Sequence, residues 1–312
     1  MRTTIRFVTY NVRYFSQGLM GLASTRACAR RITACLASLD PAADVVCLQE
    51  LETFSLRSRV AYRGSSGAET QLELFMSELE DAFTRRGKRS LYRGLYFPAH
   101  TRRIRNLPIA TDGLAVLVRN PELRVEAHNG EAPREITYRR PGRVADGWQT
   151  RICAHVKLAD ASGHRIHVFN THLSLPWPYP RALWWSLPSR LGHSPNQLRE
   201  ARTLARFVRR LAQGEPFVVC GDFNSTWGSR VVRYLTGSAG FRHAEQEVAD
   251  RSAPGPMPTF GKMGVRVQLD HLFCGGRARW LDLEGSFGFG DPRNTFAGLS
   301  DHVPVIGRLD LS

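Results

Sequence analysis

The chain has 312 residues, of which 42% are hydrophobic and 23% charged, a composition close to that of ordinary globular proteins. This composition excludes a wholly disordered, collagen-like or coiled-coil chain, and no apolar run reaches the ~18 residues that a transmembrane helix needs. Forty-three Lys and Arg residues against 28 Asp and Glu residues give a formal charge of +15. This excess predicts a polyanionic partner such as nucleic acid, an acidic lipid surface or a phosphorylated small molecule, and the alternative is a merely basic surface.

The first residues predict a β-strand that begins close to the N-terminus. Ile5 and Phe7 alternate with Arg6 and Val8, whereas a secretory signal needs a continuous apolar segment of roughly 7–15 residues. We therefore expect a cytoplasmic protein, unless a leader preceded the chain as given. The six cysteines lack the spacing of zinc sites and most lie in apolar runs, so we expect reduced, buried thiols.

Helix and strand patterns then alternate. Apolar residues at helical spacing predict a helix over 24–39, and a buried strand follows over 44–50. Thr70 and Glu73 match a capping box, which predicts the start of a second helix that ends at Gly87. Further strands are predicted over 91–97, 113–119, 151–158 and 165–171.

A third helix is predicted from residue 195 to about residue 212. Ser194 and Gln197 match a second capping box, and Pro195 suits the first helical position. The polar side of this helix carries Arg199, Arg202, Arg206, Arg209 and Arg210. Strands near 217–220, 267–273 and 303–309 complete the pattern, and no linker or repeat divides it. We therefore predict a single α/β sandwich domain over residues 1–312.

Polar residues able to bind a metal or move a proton lie at the ends of these strands. Carboxylate oxygens and an amide suit Mg²⁺ or Mn²⁺, and an imidazole can transfer protons near neutral pH. Each such residue alone has an ordinary surface or turn explanation, but the set together predicts phosphoryl hydrolysis. Its members are Asn11, Glu50, His172, Asp222, Asn224, Asp270, His271, Asp301 and His302.

The order of these motifs resembles the endonuclease/exonuclease/phosphatase superfamily, which has the DNase I-like fold. The resemblance covers nearly the whole chain, from Tyr10-Asn11 to the last histidine. Its most specific parts are Leu48-Gln49-Glu50, Asn170-Thr171-His172-Leu173, Gly221-Asp222-Phe223-Asn224-Ser225, Leu269-Asp270-His271 and Ser300-Asp301-His302. The resemblance implies a four-layer α/β/β/α sandwich with two mainly antiparallel sheets flanked by helices.

The resemblance also implies a role for each matching residue. Glu50 is similar to the main Mg²⁺ ligand of the family, with Asn11 and Asp301 nearby and Mn²⁺ as a substitute ion. Asp222 and Asn224 are similar to the pair that positions or deprotonates the attacking water. Asp270 is similar to the carboxylate that orients His302. Whether Asp222 or the Asp270–His302 pair takes the proton of the water stays open.

His172 is similar to the histidine of the DNase I, sphingomyelinase and inositol-phosphatase branches, which makes the abasic-site endonuclease branch a poorer match. The chain departs from the family at His271, where tyrosine is common. Since Asp270 faces the site, strand alternation predicts that His271 points away and is structural.

An aromatic-rich insertion near 175–193 is a second departure. We predict that its Trp177, Tyr179, Trp184 and Trp185 bind substrate, either by stacking on bases or at a membrane interface. The alternative is a loop whose rings pack on the domain.

Three functions are compatible with these observations. The first is a Mg²⁺-dependent phosphodiesterase that acts on nucleic acid by in-line attack of water, and the charge of +15 favours it. The second is a sphingomyelinase-like or inositol-phosphatase-like hydrolase of a lipid or small phosphorylated head group. The third is an inactive binding module on the same fold. It is disfavoured because every position expected in the site is filled. No obligate protein partner is evident.

Overall fold

The fold consists of two β-sheets packed face to face, with helices on both outer faces. The structure is a computed structural model that describes residues 4–16, 25–55, 70–104, 107–138, 150–176, 187–248, 256–262 and 264–311. Within these ranges the strands, in chain order, are β1 (Thr4–Asn11), β2 (Val45–Ser55), β3 (Tyr92–Ile104), β4 (Leu107–Arg119), β5 (Leu123–His128), β6 (Arg134–Glu135), β7 (Ile152–Asp160), β8 (Arg165–His172), β9 (Phe217–Asp222), β10 (Arg242–His243), β11 (Phe260–Lys262), β12 (Val265–Val267), β13 (Asp270–Gly275), β14 (Arg279–Asp282) and β15 (Val305–Asp310).

The helices join the strands and cover the sheets. They are α1 (Arg26–Ala37), α2 (Gln71–Thr84), α3 (Leu187–Arg190), α4 (Pro195–Ala212), α5 (Arg230–Arg233) and α6 (Ala244–Val248), with a short 3₁₀ turn at Arg13–Phe15 and a π-helical turn at Tyr234–Ser238. None of the helices in the described part of the chain is long and apolar enough to span a membrane.

Each large sheet contains one parallel strand pair within an otherwise antiparallel arrangement. The first sheet has the order β14-β15-β1-β2-β4-β3, in which β1 and β2 are parallel. The second has the order β10-β13-β9-β8-β7-β5, with β6 paired to β7 and with β8 parallel to β9. Parallel strands run in the same direction, so the end of β1 lies beside Gln49 within β2, and the ends of β8 and β9 lie side by side.

Alternating side chains of each sheet build three separate apolar layers. Phe7 of β1 points into the core between the sheets, whereas Val8 points outward to α1 and α2. In the second sheet Val218 joins the central core, and Val219 packs under α4. This alternation confirms the four-layer α/β/β/α sandwich, because each sheet buries both of its faces.

Of the two capping boxes predicted from the sequence, one is confirmed and the other is wrong. At α2 the capping box is confirmed: Glu73 N donates to Thr70 Oγ1 and Thr70 N donates to Glu73 Oε2. At α4 the capping box is wrong, because Ser194 makes no side-chain cap hydrogen bond. Gln197 is used elsewhere: its Nε2 donates to Ser174 O at 2.9 Å and to Asn224 O at 2.7 Å.

None of the six cysteines forms a disulfide, as expected. Five of the six are buried, and Cys35 is half-buried within α1. Burial raises the pKa of the Cys153 thiol well above its usual value, so the thiol stays neutral as a small apolar side chain.

Candidate active site

The two parallel strand pairs place four of the predicted residues at one edge of the sandwich. Asn11 ends β1 opposite Gln49, which immediately precedes Glu50 in β2. His172 ends β8 in direct register with Asp222 at the end of β9. Asp270 begins β13 and is paired with Asp222 on the other side. Sheet register alone therefore brings His172, Asp222 and Asp270 into a row.

Unusual backbone conformations aim several of these side chains. The pairing of β2 with β4 shifts between Leu48 and Leu51, and Glu50 lies within that irregularity at φ 57°. Asn224 has φ 45°, and Gly221 has φ 137° directly before Asp222. Positive φ costs free energy in residues other than glycine, and such residues concentrate at functional sites.

Hydrogen bonds join the two sheets beneath the site. Asn11 Nδ2 donates to Glu50 Oε1 and to Asp222 Oδ2, each at 3.1 Å. Gln49 Nε2 donates to Asn170 Oδ1 at 2.8 Å, and Asn170 Nδ2 donates to Leu48 O at 3.0 Å. All of these amides are buried, so they hold the carboxyl ends of the two parallel pairs in a fixed relation.

Asp270, His302 and Asp222 form the most compact group of carboxylates and imidazole. His302 Nδ1 lies 2.7 Å from Asp270 Oδ2, and its Nε2 lies 3.7 Å from Asp222 Oδ2. Burial alone lowers the pKa of His302, but the charges of Asp270 and Asp222 outweigh it and raise that pKa. Burial raises the pKa of Asp222, against the opposing effect of His302. Asp270 is thus placed to orient His302, and the two neighbouring carboxylates favour its protonated form.

His172 and Asn224 face Asp222 from the other side. Asn224 Nδ2 lies 3.2 Å from His172 Nε2 and donates to Leu173 O at 2.9 Å, while Asn224 N donates to Asp222 Oδ1 at 2.8 Å. Burial lowers the pKa of His172 well below its usual value, and the charges of Arg151 and His302 act in the same direction. His172 is therefore a neutral imidazole whose Nε2 accepts the amide hydrogen of Asn224.

Glu50 and Asp301, two of the oxygen ligands predicted for a metal, lie close enough for their charges to interact. Burial raises the pKa of Glu50, and the nearby charge of Asp301 raises it further. Arg13 Nε lies 3.2 Å from Asp301 Oδ2, and Asp270 Oδ1 is buried without a hydrogen-bond partner in the described chain. Such crowded carboxylates, one with an unused oxygen, fit a hard divalent cation. The carboxylates nearest one another are Asp222 and Asp270, whose ligand atoms lie with that of His302 within 4.8 Å.

A cleft beside Glu50 and His172 contains residues that the sequence analysis did not identify. Its walls include Tyr14, Asp112 and Arg151. Arg151 Nε is buried and has no hydrogen-bond partner among the described residues, and Arg151 lines the same cleft as Glu50 and His172. No local pattern marks Arg151, since only the tertiary fold brings the start of β7 next to the end of β8.

His271 points away from the site, as strand alternation predicted. His271 Nε2 lies 2.7 Å from Ser225 O, and His271 Nδ1 lies 2.9 Å from His243 Nε2. Since Glu245 N donates to His243 Nδ1, the hydrogen bonds run in one direction from Glu245 to Ser225. The pair supports the turn that carries Asn224. The four aromatic residues predicted to bind substrate, Trp177, Tyr179, Trp184 and Trp185, lie outside the described residues.

Comparisons with known proteins agree with this geometry. A model of the endonuclease/exonuclease/phosphatase family matches residues 8–302. The uncharacterized protein YbhP of Escherichia coli is 28% identical over 167 residues, which are 53% of this chain and 55% of YbhP, so the match spans about half of that relative.

Two solved structures illustrate the range of proteins that share the fold. A mannosyl-6-phosphatase of Bacteroides thetaiotaomicron has a TM-score of 0.63 at 14% identity, over 98% of this chain and 99% of that chain. ANGEL2, a 2′,3′-cyclic phosphatase in complex with adenosine-2′,3′-vanadate, has a TM-score of 0.60 at 17% identity, over 99% of this chain and 96% of that chain.

Proposed function

Because the chain belongs to the endonuclease/exonuclease/phosphatase family, we propose that it is a Mg²⁺-dependent phosphoesterase that hydrolyses phosphodiester bonds of nucleic acid. The observation that carries the reaction class is the position of Asp222. Its carboxylate lies 3.1 Å from Asn11 Nδ2, 3.5 Å from His172 Nε2 and 3.7 Å from His302 Nε2. A carboxylate among two imidazoles and an amide suits proton transfer from an attacking water.

Each side chain has a distinct role in the proposed reaction. Asp222 orients the water and takes its proton, because Asp270 holds His302 and its charge favours the protonated imidazole. The imidazolium of His302 donates a hydrogen bond to a non-bridging phosphoryl oxygen as negative charge increases there. Asn224 fixes the ring of His172, and Arg151 supplies a second cation beside the phosphate. We propose that His172 lies beside the phosphate as a neutral hydrogen-bonding group.

Glu50, Asp301 and Asn11 are the proposed ligands of the divalent ion. Glu50 and Asp301 contribute hard oxygen atoms, and Asn11 contacts Glu50 directly at 3.1 Å. When bound, Mg²⁺ would neutralise charge on a phosphate oxygen and on the leaving oxygen. Mn²⁺ is the expected substitute because it prefers the same oxygen donors.

Charge supports a nucleic acid as the substrate. The chain carries 43 basic residues against 28 acidic ones. The protein therefore attracts a long polyanion more strongly than a single phosphate group. The likeness to ANGEL2 in complex with an adenosine-2′,3′-vanadate is compatible with a nucleotide at the site, and the likeness to a mannosyl-6-phosphatase is compatible with a phosphorylated sugar. The net charge decides our choice between them.

A substrate panel tests this proposal. Wild type is incubated with DNA, RNA, sphingomyelin, phosphoinositides, mannose 6-phosphate and bis(p-nitrophenyl) phosphate, each with Mg²⁺, Mn²⁺ or EDTA. We expect cleavage of DNA or RNA and of bis(p-nitrophenyl) phosphate with either ion and none in EDTA. Release of phosphocholine or inorganic phosphate without any nucleic acid cleavage would show that the substrate is not a nucleic acid. Unchanged cleavage in EDTA would show that the reaction needs no divalent ion.

A further inference from the structure

The outer face of α4 carries an uninterrupted row of arginines. After Pro195, every exposed residue of this helix is arginine, namely Arg199, Arg202, Arg206, Arg209 and Arg210. The one acidic residue of the helix, Glu200, is buried and accepts hydrogen bonds from Ser174 N and Ser174 Oγ. Among the described residues, none of the five arginines forms an ion pair with a carboxylate. We refer to these five residues as the α4 arginine row.

Two tyrosines lie between the arginine row and the surrounding surface. The guanidinium of Arg199 lies 4.2 Å from the ring centroid of Tyr138, and that of Arg202 lies 5.6 Å from the ring centroid of Tyr234. Together with Thr203 and Arg206, these residues line a hollow of about 480 Å³ that is open to solvent. Planar guanidinium groups beside aromatic rings are able to contact both phosphates and bases.

The row begins at the edge of the active site. Gln197 and Asn196, in the first turn of α4, donate to Asn224 O and Leu175 O, in the loops that follow Asp222 and His172. From Arg199 the row runs along the helix for about 16 Å, with Arg202, Arg206 and Arg210 about 6 Å apart. A chain of phosphates leaving the active site would therefore meet the row.

We propose that the α4 arginine row is a second binding surface, outside the catalytic centre, for the backbone of a single-stranded nucleic acid. The inference rests on the proposed function, because it assumes that the polyanion at the active site is long. The row adds affinity through phosphate contacts and accounts for part of the net charge that the catalytic residues do not use.

The packing of α4 favours nucleic acid over an anionic membrane. A helix that binds a membrane surface inserts an apolar face among the lipids, but the apolar face of α4 is buried against the second sheet by Leu204, Ala205 and Val208. The exposed large hydrophobic residues of the described chain are Leu91 and Leu175, and neither lies on α4. This face offers a lipid surface only charged groups to contact, whereas it offers a nucleic acid strand both charged groups and aromatic rings.

Binding measured without turnover tests the surface. Fluorescence anisotropy in EDTA reports the affinity for a labelled single-stranded oligonucleotide of about 20 nucleotides, over salt concentrations from about 0.05 to 0.2 M. The test variant is R202Q/R206Q/R210Q. The matched control is R85Q/R86Q/R89Q, which removes the same charge from exposed residues after α2.

We expect the test variant to bind the oligonucleotide roughly tenfold or more weakly. The slope of log affinity against log salt concentration should decrease in magnitude by about two, since each phosphate contact on a single strand contributes about 0.7 to that slope. The control should bind like wild type. Hydrolysis of bis(p-nitrophenyl) phosphate with Mg²⁺ should be unchanged in both variants, because that substrate is too small to reach α4.

Three results would overturn the proposal. An equal loss in both variants would show that net charge alone attracts the strand, and no loss in either would show that the strand binds elsewhere. If the test variant loses binding only to vesicles that contain anionic lipid, the surface is for membranes. Failure of the catalytic proposal is separate: wild type would bind the oligonucleotide in EDTA but hydrolyse neither nucleic acid nor bis(p-nitrophenyl) phosphate with any ion.

Discussion

At the scale of single residues, the hydrogen bond between Asp270 and His302 determines how the imidazole is oriented in the site. Asp270 is fully buried, its Oδ2 lies 2.7 Å from His302 Nδ1, and its backbone N–H donates to Thr259 Oγ1 at 3.0 Å. The carboxylate therefore fixes which ring nitrogen of His302 faces Asp222. A neutral amide in its place would keep the shape and lose the charge that holds His302 protonated.

We predict that Asp270→Asn lowers the rate of bis(p-nitrophenyl) phosphate hydrolysis by about 10² to 10⁴. The measurement is the initial rate with Mg²⁺ for protein whose circular dichroism matches wild type. Asp282→Asn, which removes a carboxylate paired with Arg308 on a half-exposed strand, should retain wild-type activity. Full activity of folded Asp270→Asn would remove the pair from the mechanism.

Glu200 has a pH dependence that can be measured through stability. Burial raises its pKa to about 7, because the effect of burial outweighs that of the hydrogen bonds from Ser174, which lower the pKa. Since this folded pKa exceeds the unfolded value, the folded state binds the proton more tightly, and stability falls as pH rises from about 4.5 to 7. The loss from this group alone is on the order of 3 kcal/mol.

Glu200→Gln should remove that part of the pH dependence. Urea unfolding at several values between about pH 5 and pH 8 gives the free energy of unfolding of both proteins. We expect the wild-type value to decline with pH more steeply than that of the variant. Parallel curves would mean that Glu200 is ionised in the folded protein at all of these pH values.

Sequence reasoning identified residues better than it identified their contacts. The motif order identified Glu50, Asp222 and His302, because each belongs to a specific string of letters in or beside a strand. Nothing in those letters shows that Glu50 needs φ 57° or that Arg151 lies beside His172. Such features depend on the tertiary structure, which imposes backbone strain and brings distant charges together.

At the scale of elements, the last residues of β9 hold the site in place. An ideal Cβ at Gly221 would lie 1.9 Å from Thr171 O of the neighbouring strand, and φ there is 137°. Only glycine allows β9 to approach β8 closely enough for Asp222 to stand in register with His172. The glycine is therefore as necessary to the site as the carboxylate that follows it.

We predict that Gly221→Ala destabilises the protein by about 3 kcal/mol or more, because it combines backbone strain with a steric clash. Gly87→Ala is the matched control: φ is 67° but no atom lies within 4 Å of the new Cβ, so the cost should be about 1 kcal/mol. Both values come from urea unfolding. Equal costs for the two variants would mean that the approach of β8 to β9 is not tight.

Elements were predictable where burial was periodic. Strands β1 and β8, each with seven of eight residues buried, were predicted from their apolar letters. In contrast, β5 has one buried residue among six and lies at a sheet edge, so it left no pattern, and the sequence analysis missed it. The capping box at Ser194 failed because Gln197 binds the active-site loops instead of the helix end.

At the scale of the whole molecule, the proposed ion site of Glu50, Asp301 and Asn11 lies against the second sheet. Asn11 Nδ2 donates to Glu50 Oε1 and also to Asp222 Oδ2, and Asp222 belongs to the second sheet. Ions that bind only this assembled site must stabilise the fold, since the unfolded chain cannot present the ligands together. Metal binding is thus a readout of the assembled site, independent of turnover.

We predict that saturating Mn²⁺ raises the melting temperature of wild type and not that of Glu50→Gln. At a free ion concentration of about 100 Kd the gain is about 2.7 kcal/mol. Glu284→Gln, at an exposed residue beside Arg308, should respond like wild type. An equal thermal shift in all three proteins would place the ion at another site.

In the proposed mechanism, residues far apart in the chain form one hydrolytic centre around Asp222. The rate of bis(p-nitrophenyl) phosphate hydrolysis by wild type and by Asp222→Asn, each with Mg²⁺ and with EDTA, tests this mechanism. We expect activity for wild type only with Mg²⁺, and a loss of at least about 10³ in the variant although it remains folded. Comparable rates in the two proteins would mean that Asp222 takes no part in the reaction, and a wild-type rate unaffected by EDTA would exclude the metal.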